Sequence, residues 1–118
     1  MKNKQPTIPV DLWACAPVED QPELVLSGWR VFEVLWRDST ERTRHFAGYS
    51  ETDNAGRVSS AIMQFDPATM RGVTSSGRVY GLRGKPGLGS DAEYTWNAWK
   101  RFGGVRDAVD VTAEALSA

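Results

Sequence analysis

The chain has almost none of the residues from which most small active sites are built. Among 118 residues there is one cysteine, Cys15, and one histidine, His45. A disulfide within the chain is therefore impossible. A zinc site of the usual Cys/His kind needs about four such ligands and finds two. No carboxylate spacing matches a calcium-binding EF-hand loop. No metal and no cofactor is expected. No apolar run approaches the ~20 residues of a membrane-spanning helix, so no membrane is expected among the partners. The first ten residues, MKNKQPTIPV, carry two lysines and no apolar stretch behind them, unlike a secretory signal. The cytoplasm is the expected address. Internal repeats and low-complexity tracts are missing too.

What is present is the composition of one globular domain. Hydrophobic residues make up 41% and charged residues 25%, and the net charge is −1. The net charge argues against a nucleic-acid binder for the chain as a whole, but the charge is unevenly placed. Residues 30–85 hold eight arginines and one lysine against six acids. Arginine suits bidentate contacts and stacking. The competing explanation for this basic middle is a solvated sheet face of mixed charge.

Four prolines, Pro6, Pro9, Pro17 and Pro22, fall between residues 5 and 23. Such spacing forbids a helix of any length and favours extended chain. Residues 1–23 are therefore expected to be an extended arm around Trp13, and residues 24–118 a single domain. Within that domain, ELVLSGWRVFEVLWRD is rich in β-branched and aromatic residues, as strands are. Strand alternation puts Phe32, Val34 and Trp36 on one face and Trp29, Val31 and Leu35 on the other. STERT is a turn and RHFAGYSE a second strand. TDNAG offers Asn54 and Gly56 for left-handed backbone. RVSSAIMQF is expected as a third strand, buried on both faces near Ala61, Ile62 and Met63. DPAT starts a type I turn at Asp66. MRGVT-SSG-RVYGL is a hairpin with a three-residue loop whose Gly77 takes the left-handed position.

The segment GRVYGLRGKPGLGSDAEYTW holds five glycines in thirteen residues, Gly77 to Gly89, and then becomes helical. It does not satisfy the phosphate-binding P-loop pattern, because Gly84-Lys85 is followed by Pro86. It does match the dinucleotide variant G-x-G-x-x-A through Gly87, Gly89 and Ala92. That reading fails for three reasons. The strand ends near Leu82, too early for a tight strand-to-helix loop. Asp91 puts negative charge where a pyrophosphate would dock. The short turns before it imply antiparallel pairing. The loop is expected to turn a corner. In the helix that follows, Ser90 and Glu93 fit a capping box. Ala92, Trp96, Trp99 and Phe102 form one apolar stripe. Lys100 and Arg101 suit the last turn, and Gly103 the stop. AVDVT is a last short strand, with a short turn in AEALSA.

Catalysis has little to work with. A Cys15–His45 dyad would need the thiol beside its base, yet Cys15 sits in the arm and His45 is expected on a strand surface beside Arg44. No triad or phosphate loop occurs, so the chain is expected not to be an enzyme. Two binding readings remain. Trp13 is the one tryptophan without a place in the core pattern, and Trp and Arg dominate interface hot spots. Trp13 is the candidate contact to a protein partner, or to a second copy in a homodimer. Alternatively, Arg44, Arg57, Arg71, Arg78 and Arg83, with Tyr49 and Tyr80 among them, form a sheet face for single-stranded nucleic acid, combining phosphate contacts with stacking platforms.

One resemblance adds context. Gly56-Arg57, Ser59-Ser60, Phe65-Asp66, Ser76-Gly77-Arg78, Tyr80, Pro86-Gly87, Asp91-Ala92, Tyr94, Trp96, Trp99 and Asp110-Val111-Thr112 resemble a group of small accessory proteins of bacterial plasmids, prophages and integrative elements. The resemblance covers the C-terminal two-thirds of the chain. It implies no catalytic residue. It implies a small module that binds or inhibits host machinery. The fold expected is α+β: a twisted antiparallel sheet of about five strands, with one amphipathic C-terminal helix packed on one face. The function expected is a non-enzymatic binding or regulatory module acting on a protein, with nucleic acid as the alternative partner.

Overall fold

A computed structural model describes residues 23–117. The arm, with Trp13 and Cys15, lies outside the described residues. The fold is mixed α and β, mostly sheet. Its elements are β1 (Glu23–Trp36), β2 (Arg42–Ser50), β3 (Ala55–Val58), β4 (Ile62–Asp66), β5 (Arg71–Thr74), β6 (Val79–Arg83), α1 (Ser90–Gly103), β7 (Val105–Asp110) and α2 (Thr112–Leu116). The sheet has seven strands in the order β3-β2-β1-β6-β5-β4, with β7 also paired to β1. The expectation of about five strands, all antiparallel, with one helix is corrected in count and in pairing. The pairs β1–β2, β2–β3, β4–β5 and β5–β6 are antiparallel, as their short turns require, whereas β3 and β4 follow each other in the chain and do not pair. β1 and β6 are not consecutive, and they pair in parallel. One edge of β1 therefore carries β6 along its first half and β7, antiparallel, along its second.

β1 organises the fold because it changes face in mid-strand. Leu24, Leu26, Trp29 and Val31 are all buried in one cluster, although 24 and 26 differ in parity from 29 and 31. A bulge reconciles them. Between the pairs Ser27↔Tyr49 and Arg30↔Ala47, two β1 residues oppose one β2 residue. Gly28 takes the left-handed conformation there, with φ 53°. Beyond the bulge, Phe32, Val34 and Trp36 point to the opposite face, as the alternation predicts. They pack with Ala47, Trp96 and Trp99.

The sheet thus has a core on each side. The first joins Leu24, Leu26, Trp29 and Val31 to Phe46, Tyr80, Leu82 and the α2 side of the molecule through Val111 and Ala115. The second lies under α1. There Trp96 stacks on Phe32 at 4.1 Å between ring centroids and Trp99 meets Trp36 edge-on at 5.3 Å. The helix stripe is corrected at one position. Ala92, Trp96, Ala98 and Trp99 face inward, whereas Phe102 is 52% exposed. Phe102 follows Trp99 by three residues, but α1 lies mainly against β3 and β2, so the buried arc swings away from it. The caps also move by one residue. Gly89 is the N-cap, without a side-chain cap, and left-handed Gly104 is the C-cap, its N–H donating to the Lys100 carbonyl.

The expected third strand is two strands. Ser59–Ala61 interrupts it, with Ser59 buried. The Ser59 amide donates to the Phe46 carbonyl at 2.8 Å, and the Ser59 hydroxyl accepts from the Phe46 amide at 2.9 Å. The hydroxyl so replaces a backbone group and releases the chain from the ladder. β4 then runs at the far end of the sheet, where Met63 is 66% exposed rather than central. The β5–β6 hairpin matches expectation, with Gly77 at φ 91° and the Thr74 amide donating to the Arg78 carbonyl at 3.0 Å.

Candidate functional site

The glycine segment does turn a corner, and it docks on the β1 bulge. The Gly87 amide donates to the Trp29 carbonyl at 3.0 Å, Arg30 Nε donates to the Gly87 carbonyl at 2.8 Å, and Trp29 Nε1 donates to the Gly84 carbonyl at 3.3 Å. A Cβ on Gly87 would lie 3.2 Å from Gly28 Cα. These glycines serve backbone-to-backbone packing.

The arginine and tyrosine candidates are spread over the molecule and mostly engaged within it. Arg44 pairs with Glu33 at 3.1 Å, Arg71 with Glu23 at 2.6 Å and Arg83 with Glu51 at 3.1 Å. Arg57 pairs with Asp53 at 2.9 Å and donates through Nε to the Tyr80 hydroxyl at 3.0 Å. Arg78 and Tyr80 are buried, at 4% and 2% exposure. Tyr49 is half-buried and donates its hydroxyl to Asn54. A phosphate at Arg44, Arg57, Arg71 or Arg83 has to compete with a carboxylate already in place.

His45 is buried at 1% exposure, not on the strand surface. Its Nδ1 lies 2.9 Å from the Ser59 carbonyl, which only accepts, so Nδ1 carries the proton. Nε2 therefore accepts from the Thr43 hydroxyl at 2.7 Å, which in turn accepts from Trp36 Nε1 at 2.8 Å. Burial pushes the imidazole down from 6.5 to about 4, against the opposing effect of backbone hydrogen bonds to Ser59 and Ser60. It is a neutral, satisfied core group. Among the described residues no three His, Cys, Asp or Glu side chains gather as a metal site requires.

A different cluster stands out. An open groove of about 600 Å3 is lined by Arg37, Asn97, Lys100, Arg101, Val105, Arg106, Asp107 and Ala108. Four cations face one carboxylate. The five ion pairs among the described residues use none of these four cations. Three elements build the groove. The Arg37 amide donates to the Gly104 carbonyl at 2.9 Å, which ties the β1–β2 turn to the end of α1. Lys100 and Arg101 come from the last turn of α1, with Lys100 Nζ 5.2 Å from the Trp96 ring centroid. Arg106 is the extra residue of a bulge, skipped between the pairs Leu35↔Asp107 and Trp36↔Val105. Bulges re-aim side chains in this way.

The helix dipole explains part of the cluster. Cations in a last turn are stabilised by the terminal carbonyls. That accounts for Lys100 and Arg101 and leaves Arg37 and Arg106, which belong to neither turn of the helix. In the sequence the helix pair is explained by the dipole, and Arg37 is one of the eight arginines of residues 30–85. No spacing signal joins positions 37, 100, 101 and 106. Only the turn–helix contact and the β7 bulge do.

No family model, no curated protein and no solved structure matches the chain.

Proposed function

We propose that this chain is a non-enzymatic binding module whose groove at the end of α1 holds the phosphate backbone of a nucleic acid. The observation that carries the reading is the convergence of Arg37, Lys100, Arg101 and Arg106, free of ion pairs among the described residues, on one open groove. Phosphate contacts of this kind supply most non-specific affinity for nucleic acid. The reading keeps the nucleic-acid alternative and moves its site from the sheet face to the helix end. The resemblance to accessory proteins of mobile elements supplies a setting in which a small binding module acts on host components.

The test is anisotropy of a labelled oligonucleotide with the wild-type chain and with Arg101→Glu/Arg106→Glu. Both positions are exposed, so the fold tolerates the change. Loss of binding supports the groove, and unchanged binding overturns it.

A protein partner retains one observation in its favour. Met63 is the bulged residue of the end strand β4, and it is 66% exposed. Apolar exposure at a sheet edge invites pairing with another chain. We take a second copy as that partner. Light scattering with and without Met63→Lys tests it: a dimer that needs Met63 supports it, and a monomer at high concentration removes the second copy.

A further inference from the structure

We infer that Tyr94 is a base-stacking platform at the mouth of the cationic groove, and that the nucleic acid held there is single-stranded. The inference rests on the proposed function of the groove. Tyr94 is 77% exposed, the highest exposure among the large hydrophobic side chains that reach solvent. An exposed tyrosine on a helix whose other face buries two tryptophans has no role in the core.

Its position on α1 is specific. Residues advance 100° each around a helix, so seven residues bring Arg101 to within about 20° of Tyr94, two turns along. Asn97, which lines the groove, lies one turn from Tyr94. Three and four residues apart are surface neighbours on a helix. The order Tyr94, Asn97, Arg101 is therefore one outward-facing line. It starts with an aromatic plane, passes an amide able to donate and accept, and ends at the cations. Phe102 is exposed as well, at 52%, but it sits one helical step of 100° beyond Arg101, off this line.

The chemistry favours a single strand. A base can lie flat on Tyr94 only if it is not stacked in a duplex. Single-strand binders combine such a platform with a positive groove that follows the backbone. Three carboxylates flank the line: Asp107 in the groove, and Asp91 and Glu93 in the first turn of α1 beside Tyr94. They disfavour a phosphate near them, so the contact at Tyr94 is a stacked base and the phosphates stay at the cations.

The experiment measures affinities for labelled oligothymidylate and for a duplex of equal length at low salt. It uses the full chain, Tyr94→Ala and Tyr94→Phe. The expected result is a loss of roughly 5- to 150-fold for the single strand in Tyr94→Ala, the range for losing one base–aromatic stack. Tyr94→Phe keeps the ring and stays within about twofold of wild type, and duplex affinity hardly changes in either variant. A Tyr94→Ala protein that binds the single strand as well as wild type overturns the inference while the groove stands. So does a chain that binds only duplex. A wild-type chain that binds neither overturns the groove reading and the inference together.

Discussion

At the residue scale, His45 shows what a single sequence position conceals. A histidine beside an arginine in an alternating strand has the pattern of a surface residue. The bend at Ser59 instead brings a carbonyl to Nδ1, and Trp36 and Trp99 close over the ring. The consequence is a pH effect with a definite sign. The folded chain holds the imidazole near 4, below its unfolded value of 6.5. The unfolded state therefore takes up the proton first. Stability is complete above about pH 6.5 and falls as pH drops toward 4. Linkage gives a loss of about 1 kcal/mol between pH 7 and 5.5, before carboxylates titrate. Urea unfolding at those two pH values checks it, and equal midpoints would contradict a buried neutral histidine. The two tryptophans and the phenylalanine of α1 provide another residue-scale contrast. Trp99→Ala removes a side chain that is 3% exposed and is expected to cost about 3–5 kcal/mol. Phe102→Ala, at 52% exposure, is expected to cost under about 1 kcal/mol. Equal losses in thermal unfolding would mean that the helix is rotated from the position described.

At the scale of elements, β3 and α1 meet backbone to backbone at Gly56. A Cβ on Gly56 would lie 2.5 Å from the Asp91 carbonyl and from Thr95 Oγ1, and 2.9 Å from Ala92 Cα. Helix backbone cannot yield as a flexible side chain does. Gly56→Ala is therefore expected to cost about 1–3 kcal/mol, the usual range for overpacking. A denaturation midpoint equal to wild type would show that the helix does not rest on β3. Of the two residues the sequence offers for left-handed backbone, Asn54 takes it and Gly56 lies in β3. The elements were legible where local chemistry decides them. The alternation of Phe32, Val34 and Trp36, the Gly77 hairpin and the Trp96–Trp99 stripe all follow from period and turn residues. Three things were not. The Ser59 break is invisible because apolar residues continue on both sides of it. The β1 bulge at Gly28 needs β2 opposite it to be recognised. The parallel β1–β6 pair depends on contacts more than fifty residues apart.

At the scale of the whole molecule, a net charge of −1 hides a separation of charge. Arg30, Arg44, Arg57, Arg71 and Arg83 pair with carboxylates, while Arg37, Lys100, Arg101 and Arg106 gather around Asp107 with no ion pair among the described residues. Counting residues along the chain located the basic segment at 30–85. Folding neutralises most of that segment and builds the cationic groove mainly from residues beyond it. Composition therefore points to arginines without locating the groove that is free of ion pairs among the described residues. Charge placed this way acts over the range of the Debye length, about 10 Å at 0.1 M salt, so the proposed phosphate contacts are expected to weaken with salt.

The salt dependence of oligonucleotide binding tests that placement most directly. Four phosphate contacts on a single strand predict a slope of log K against log salt of about −2.8, or a roughly 50-fold weaker affinity at 200 mM than at 50 mM. Removing one contact with Arg106→Ala should reduce the slope by about 0.7. Binding that is absent at 50 mM, or that is unchanged between the two salt concentrations, would contradict the groove as a phosphate site.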